Sequence, residues 1–196
     1  MNKELVLALW DRDYSWTDSV SSDVKITKYN KNPETLKEGD IFLSPNVGRD
    51  VHTFFWHIVN NYDNLSDYTF FAQDHIDDHV SNYVEIINGP VEDLGKYAIQ
   101  DLGGCWFYQT TLPYAIQVHK GNCAFHQGLP LAEMWKLLFG SEIPDQISFT
   151  AAGHFCITRE HVHKYPVERY KKVLEILENY EISPWCIERF EAYIFS

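Results

Sequence analysis

The sequence predicts a single open, mostly parallel mixed α/β sheet flanked by helices, and three observations carry that reading. Leu5 to Trp10 and Tyr68 to Ala72 are apolar runs without polar alternation, the pattern of strands buried on both faces. The first half of the chain reads strand, strand, helix, strand, helix, the order of a doubly wound sheet. A chain of 196 residues with 45% hydrophobic content can fill one core, and no Gly/Ser/Pro linker or internal repeat divides it. The expected domain is therefore 1–196.

The elements follow in order. Glu4 to Trp10 is the first strand, ending in the charged loop Asp11-Arg12-Asp13. Asp23 to Tyr29 is the second, closed by Asn30-Lys31-Asn32-Pro33, and Ile41 to Leu43 is a short third. Val51, Phe54, Phe55, Ile58, Val59 and Tyr62 then fall on one helical stripe, with Asp50 placed to cap the helix start and oppose its dipole. Tyr68 to Ala72 is the next strand, and a helix is expected from His79 to Asn88, stopped by Gly89-Pro90. Gly95 to Pro130 gives mixed signals of one or two strands and long loops. Ala132 to Phe139 reads as a helix, Ile147 to Thr158 as a strand interrupted at Ala151-Ala152-Gly153, and Pro166 to Tyr180 and Pro184 to Phe195 as helices.

The net charge of -12 argues against a nucleic-acid groove or an anionic membrane surface, both of which need clustered Lys and Arg. No apolar run reaches the ~20 residues of a membrane span. The N-terminal residues lack the pattern of a signal peptide. Four scattered cysteines without a C-x-x-C pair read as reduced thiols, so the expected compartment is the cytoplasm.

In doubly wound sheets ligands bind beyond the carboxyl ends of the strands. That rule points to Asp11–Asp13, Asn30–Lys31 and Asp74–His79. The last is the densest group of potential ligands, Asp74-His75-Ile76-Asp77-Asp78-His79. Carboxylates at a strand end suit Mg²⁺ or Mn²⁺, and such an ion bridges a diphosphate well; Asp74, Asp77 and His79 are the candidate metal ligands. Equally, Asp77 or Asp78 is placed to cap the following helix. Asn46-Val47-Gly48-Arg49-Asp50 is a second site, a glycine loop feeding a helix N-terminus beside a guanidinium fork. Its plain alternative is a capping loop with a surface arginine. The third is Ala152 to Glu160, which offers His154 or Glu160 as ligand or general base, against Thr158 as an N-cap with Glu160 in the first helical turn. His161 and His163 are read as surface residues, and His52 and His57 as either core or exposed. No P-loop, G-x-G-x-x-G, G-x-S-x-G or H-E-x-x-H occurs.

The order of strand, Asn-x-Gly-Arg loop, helix, apolar strand and acidic cluster resembles the donor-binding half of GT-A glycosyltransferases. Asn46 to Thr53 is also similar to the Asn-Val-Gly-Arg-acidic-x-His-Thr segment of a family of small glycosyltransferase-related proteins. Asp67 to Gln73 matches that family's Asp-Tyr-Thr-x-Phe-x-Gln strand, Gly153 to Glu160 a late Gly-x-Phe run ending in Arg-Glu, and Glu188 to Phe190 its terminal helix. The resemblance implies a GT-A-like, Rossmann-related fold and transfer from a nucleotide-diphosphate-sugar, a UDP-sugar favoured, to a carbohydrate acceptor with Mn²⁺ or Mg²⁺. It implies a donor held by Asp11, Asn30, Asn46, Gly48, Arg49, Gln73 and Asp74, an acceptor side at Gly104 and Trp106, and catalysis by Glu160, Asp77 or His154. A metal-dependent hydrolase or phosphoesterase using the Asp/His cluster, and a nucleotide- or carbohydrate-binding module without turnover, are the rival expectations.

Overall fold

The computed structural model describes residues 1–76, 79–108, 114–118, 128–150 and 153–196. The main sheet is built from β1 (Lys3–Leu9), β2 (Val24–Asn30), β3 (Ile41–Phe42), β4 (Tyr68–Gln73), β5 (Gln100–Asp101), β6 (Cys105–Phe107) and, late in the chain, β9 (Phe155–Thr158). A separate ribbon pairs β7 (Tyr114–Gln117) with β8 (Gln146–Phe149). The helices are α1 (Arg49–Asn60), α2 (Tyr83–Asn88), α3 (Leu94–Tyr97), α4 (Leu131–Phe139), α5 (Arg159–Val162), α6 (Val167–Asn179) and α7 (Ser183–Ile194).

The seven strands run in the order β3-β2-β1-β4-β9-β6-β5. Parallel pairing joins β3, β2, β1 and β4, and antiparallel pairing joins β4, β9, β6 and β5. This is the expected open mixed sheet, and its outer strands β3 and β5 are each two residues long.

The apolar runs explain the layering. Alternate side chains of a strand point to opposite faces. Val6, Phe71, Phe155 and Ile157 accordingly enter the core on the side of α1, α6 and α7, while Leu5, Leu7, Leu9, Phe70, Ala72 and Cys156 enter the core on the side of α2. Both faces are covered, so neither needs polar residues. Phe71 stacks on Phe155 at 4.7 Å between ring centroids, and Phe54 of α1 meets both at 5.2 and 5.8 Å. Each such side chain contributes roughly 2–3 kcal/mol by burial. Truncating Phe71 to Ala removes the centre of the triad.

Two expectations change. The strand read from Ile147 to Thr158 is two strands in two sheets: β8 alternates exposed and buried residues on the ribbon, whereas β9 is buried through Phe155–Ile157 and pairs with β4. The helix expected from His79 begins at Tyr83, because the backbone first makes a separate turn at Val80–Tyr83, where the Tyr83 N–H donates to the Val80 carbonyl. Among the described residues no helix is long and apolar enough to cross a membrane. Cys105, Cys156 and Cys186 are buried free thiols, and burial pushes all three up from the ordinary thiol range.

Candidate ligand-binding cleft

The chain leaves β1 for β2 and β3 on one side, then crosses to β4 on the other. Connections diverging from β1 open a crevice beyond the carboxyl ends of β1 and β4. A cavity of ≈ 510 Å³ lies there, lined by Ala8–Arg12, Lys31, Asn46, Arg49, Asp50, Thr53 and Gln73–His75. We call the side formed by Lys31, Asp50 and Thr53 its floor and the rest its walls. A second chamber of ≈ 330 Å³ shares the Leu9–Arg12 wall and continues toward Tyr14, Asn30 and Lys37. In a chain of net charge -12, the two chambers gather four cations, Arg12, Lys31, Lys37 and Arg49, against four carboxylates, Asp11, Asp13, Asp50 and Asp74.

Asp74 follows β4 and is buried. One carboxylate oxygen accepts the backbone N–H groups of Trp10 and Arg12 at 3.2 and 3.1 Å. The other accepts the Nδ1–H of His75 at 2.9 Å, and the Asp74 carbonyl accepts the Trp16 indole N–H at 2.8 Å. Asp74 thus fixes the loop after β1 and the ring of His75, which lines the cleft.

At the start of α1, Gly48 is the N-cap at φ 63°. A Cβ there would stand 2.6 Å from the Cβ of His52, so the helix can begin so close to its own second turn only at a glycine. Arg49 follows at φ 54°, a left-handed conformation that is costly for a non-glycine residue and gathers at functional loops. Lys31 supports it: its ammonium donates to the Val47 and Arg49 carbonyls. Burial pulls the Lys31 ammonium down to about 8, with Asp50 pushing the other way. Asp50 is not the expected cap: it makes no capping hydrogen bond and instead accepts the Gln73 side-chain amide across the cleft. Thr53 is wholly buried, and among the described residues its hydroxyl has no hydrogen-bond partner.

Asn30 is buried beside the second chamber. Its amide donates to Thr35 and Asp40, and its carbonyl oxygen accepts the Asn32 N–H at 2.9 Å. It shapes the loop after β2.

Behind the cleft, His154 is fully buried, with His79 at 5.6 Å and Tyr83 at 5.2 Å between ring centroids. Among the described residues neither ring nitrogen makes a well-formed hydrogen bond. Burial, then His79 and His75, hold the imidazole down to about 3, against a weak opposing contact with the His75 backbone. His154 is therefore neutral.

A model of a family described as "Protein of unknown function (DUF3431)" matches residues 5–196. The chain belongs to that family. The match takes in every wall of the cleft. No curated protein and no solved structure matches the chain.

Of the seven donor-binding residues expected in this DUF3431 chain, Asp11, Asn46, Arg49, Gln73 and Asp74 line the larger chamber and Asn30 the second, while Gly48 lines neither and caps α1. Four expectations outside the donor set are corrected. β9 runs antiparallel to β4, with Tyr68 paired to Thr158, so Arg159 and Glu160 lie at the amino end of β4, across the sheet from the cleft. Glu160 is exposed in the first turn of α5, where the Thr158 hydroxyl accepts the His161 N–H. Gly104 is at that same far end, its carbonyl accepting the Thr158 N–H, and a Cβ on it would meet His161 at 2.8 Å. Trp106 packs against the core on the α2 side and lines neither chamber. His161, expected at the surface, is 2% exposed and bonded to the Phe195 carbonyl.

Among the described residues no group of three His, Cys, Asp or Glu side chains is placed to hold a metal ion. Asp74 gives one oxygen to the loop and the other to His75, and His79 stands with His75 and His154. Asp74 Oδ1 accepts one hydrogen bond and has a lone pair left for a cation, and Asp78, like Asp77, lies outside the described residues. Sequence reasoning missed Thr53 and the inward role of Asp50; a threonine beside an apolar helical stripe was the available signal.

Proposed function

We propose that the chain is a glycosyltransferase that binds a nucleotide-diphosphate-sugar in this cleft and passes the sugar to a carbohydrate acceptor. One observation carries the reading: segments after β1, after β2, before α1 and after β4 converge on a single cleft. The volume of the larger chamber, ≈ 510 Å³, is within the range of small-molecule and cofactor sites. Arg12 and Arg49 stand exposed on its walls, and guanidinium forks suit the paired oxygens of a diphosphate. Trp10, 44% exposed, offers a ring face for a base or a sugar.

The cytoplasm is the compartment we assign to it, given the buried free thiols. A second reading, a binding module without turnover, draws support from Glu160 lying across the sheet and His154 lying buried behind the cleft.

Calorimetric titration of UDP, GDP and UDP-glucose, with and without Mn²⁺, tests the proposal. The expected result is micromolar binding of one nucleotide without metal, weakened at least tenfold, about 1.4 kcal/mol, by Arg49→Ala. Binding of none would overturn it, and strict dependence on Mn²⁺ would take the diphosphate away from the arginines. Release of UDP from UDP-glucose separates transferase from module.

A further inference from the structure

The floor of the larger chamber is chemically unlike its walls. Thr53 is 0% exposed, and among the described residues its hydroxyl finds no partner although a helical threonine ordinarily bonds back to the preceding turn. A buried polar group left unmatched costs about 1–3 kcal/mol, which a ligand atom at the floor recovers. Lys31 is 6% exposed and spends two of its three N–H donors on the Val47 and Arg49 carbonyls. Asp50 gives one oxygen to Gln73; among the described residues the other accepts nothing.

The floor therefore presents two donors, an acceptor, and charges that cancel between Lys31 and Asp50. A phosphate would satisfy Lys31 and Thr53 but confront the Asp50 carboxylate. An apolar group would leave Thr53 unmatched. A hydroxyl both donates and accepts, and adjacent hydroxyls carry no charge to oppose.

We infer that the floor of the cleft is a hydroxyl-recognition subsite for neighbouring ring hydroxyls of a sugar, Thr53 Oγ1 and Lys31 Nζ donating and the Asp50 carboxylate accepting. The inference rests on the nucleotide-sugar reading only for where that sugar comes from: the ribose of the nucleotide or the hexose transferred.

The test is NMR of the full chain labelled at alanine and threonine methyls, read at Ala8 and Thr53. The probes are ribose, glucose, galactose, 2-deoxyribose and 2-deoxyglucose, then UDP, UDP-glucose and inorganic phosphate. Ribose or a hexose, free or within UDP-glucose, is expected to shift both methyls, and the matching 2-deoxy sugar to bind at least tenfold more weakly. Asp50→Asn and Thr53→Val, read at Ala8, are expected to weaken binding at least tenfold with the melting temperature unchanged, and Thr53→Ser to restore it. Response to ribose alone assigns the floor to the nucleotide; response to a hexose alone assigns it to the transferred sugar. If UDP binds but no sugar, free or UDP-linked, moves Thr53, the inference falls and the donor reading stands. If sugars bind and no nucleotide does, the donor reading falls and the inference stands. Phosphate moving Thr53, more strongly in Asp50→Asn, makes the floor an anion site and overturns the inference.

Discussion

The two ends of the parallel half of the sheet use the same kinds of residue for opposite purposes. At the amino end, Glu4 is 1% exposed and fully engaged: it accepts from Lys25 at 2.8 Å, Thr27 at 2.6 Å and Ser66 at 2.9 Å, with His57 at 3.9 Å. Despite burial, those partners hold its carboxyl below the ordinary range. Asp67 closes the same end by joining the Asn2 backbone to Arg159. At the carboxyl end, Thr53 is orphaned, Arg49 is held at positive φ, and Lys31 keeps a donor in hand. Buried polar groups that satisfy one another build structure; those left open around a cavity await a ligand. Among the described residues the amino end has unmatched atoms too, His57 Nε2 and Thr69 Oγ1, but neither residue lines a chamber; an open hydrogen bond together with a cavity marks the carboxyl end.

Four experiments break or sharpen that contrast. Glu4→Ala strips the closed end of its common acceptor and should cost about 4 kcal/mol, while ligand binding in the cleft stays unchanged. A denaturation midpoint near wild type would mean that the network is ornamental.

Lowering the pH from 7 to 5 comes next. His52 and His57 are held down to about 4 and His154 to about 3, each chiefly by burial. Below about 6.5 the unfolded chain binds protons that these imidazoles refuse, so stability falls as pH falls. Glu191 works the other way, since burial, then Glu188 and Asp50, raise its carboxyl well above the ordinary range and it keeps a proton that the unfolded chain loses. Three groups against one leave a net loss on the order of 3 kcal/mol. Urea midpoints that match at pH 7 and 5 would refute it.

Gly48→Ala strikes the open end. The left-handed backbone and the 2.6 Å approach to His52 should together cost about 2 kcal/mol and weaken nucleotide binding, measurable by melting and by titration. Full retention of both would show that α1 starts without that turn. Glu160→Ala is the smallest: exposed and across the sheet, it should change stability by less than about 0.5 kcal/mol and leave binding intact. Any loss of binding there would bring Glu160 back to the site.

The sequence made the sheet legible where burial on both faces leaves an unbroken apolar run, as in Leu5–Leu9 and Phe70–Ala72, and where α1 carries its stripe. It made the cleft legible because strand ends are where polar loops begin. Strand direction was hidden: nothing in Phe155–Thr158 records that it pairs antiparallel to β4, so Glu160 and Gly104 were assigned to the wrong end. Commitment was hidden as well. Asp74 reads as an open carboxylate until Trp10, Arg12 and His75 are seen to use it.

The brevity of the outer strands has a consequence for crowding. β3 and β5 each offer two residues of backbone at the margins of the main sheet. Ile41 and Phe42 stand about half exposed on one of those margins, yet a foreign strand would find little ladder there to extend. The apolar inner strands β1, β4 and β9 are thereby shielded from edge-to-edge pairing with another chain.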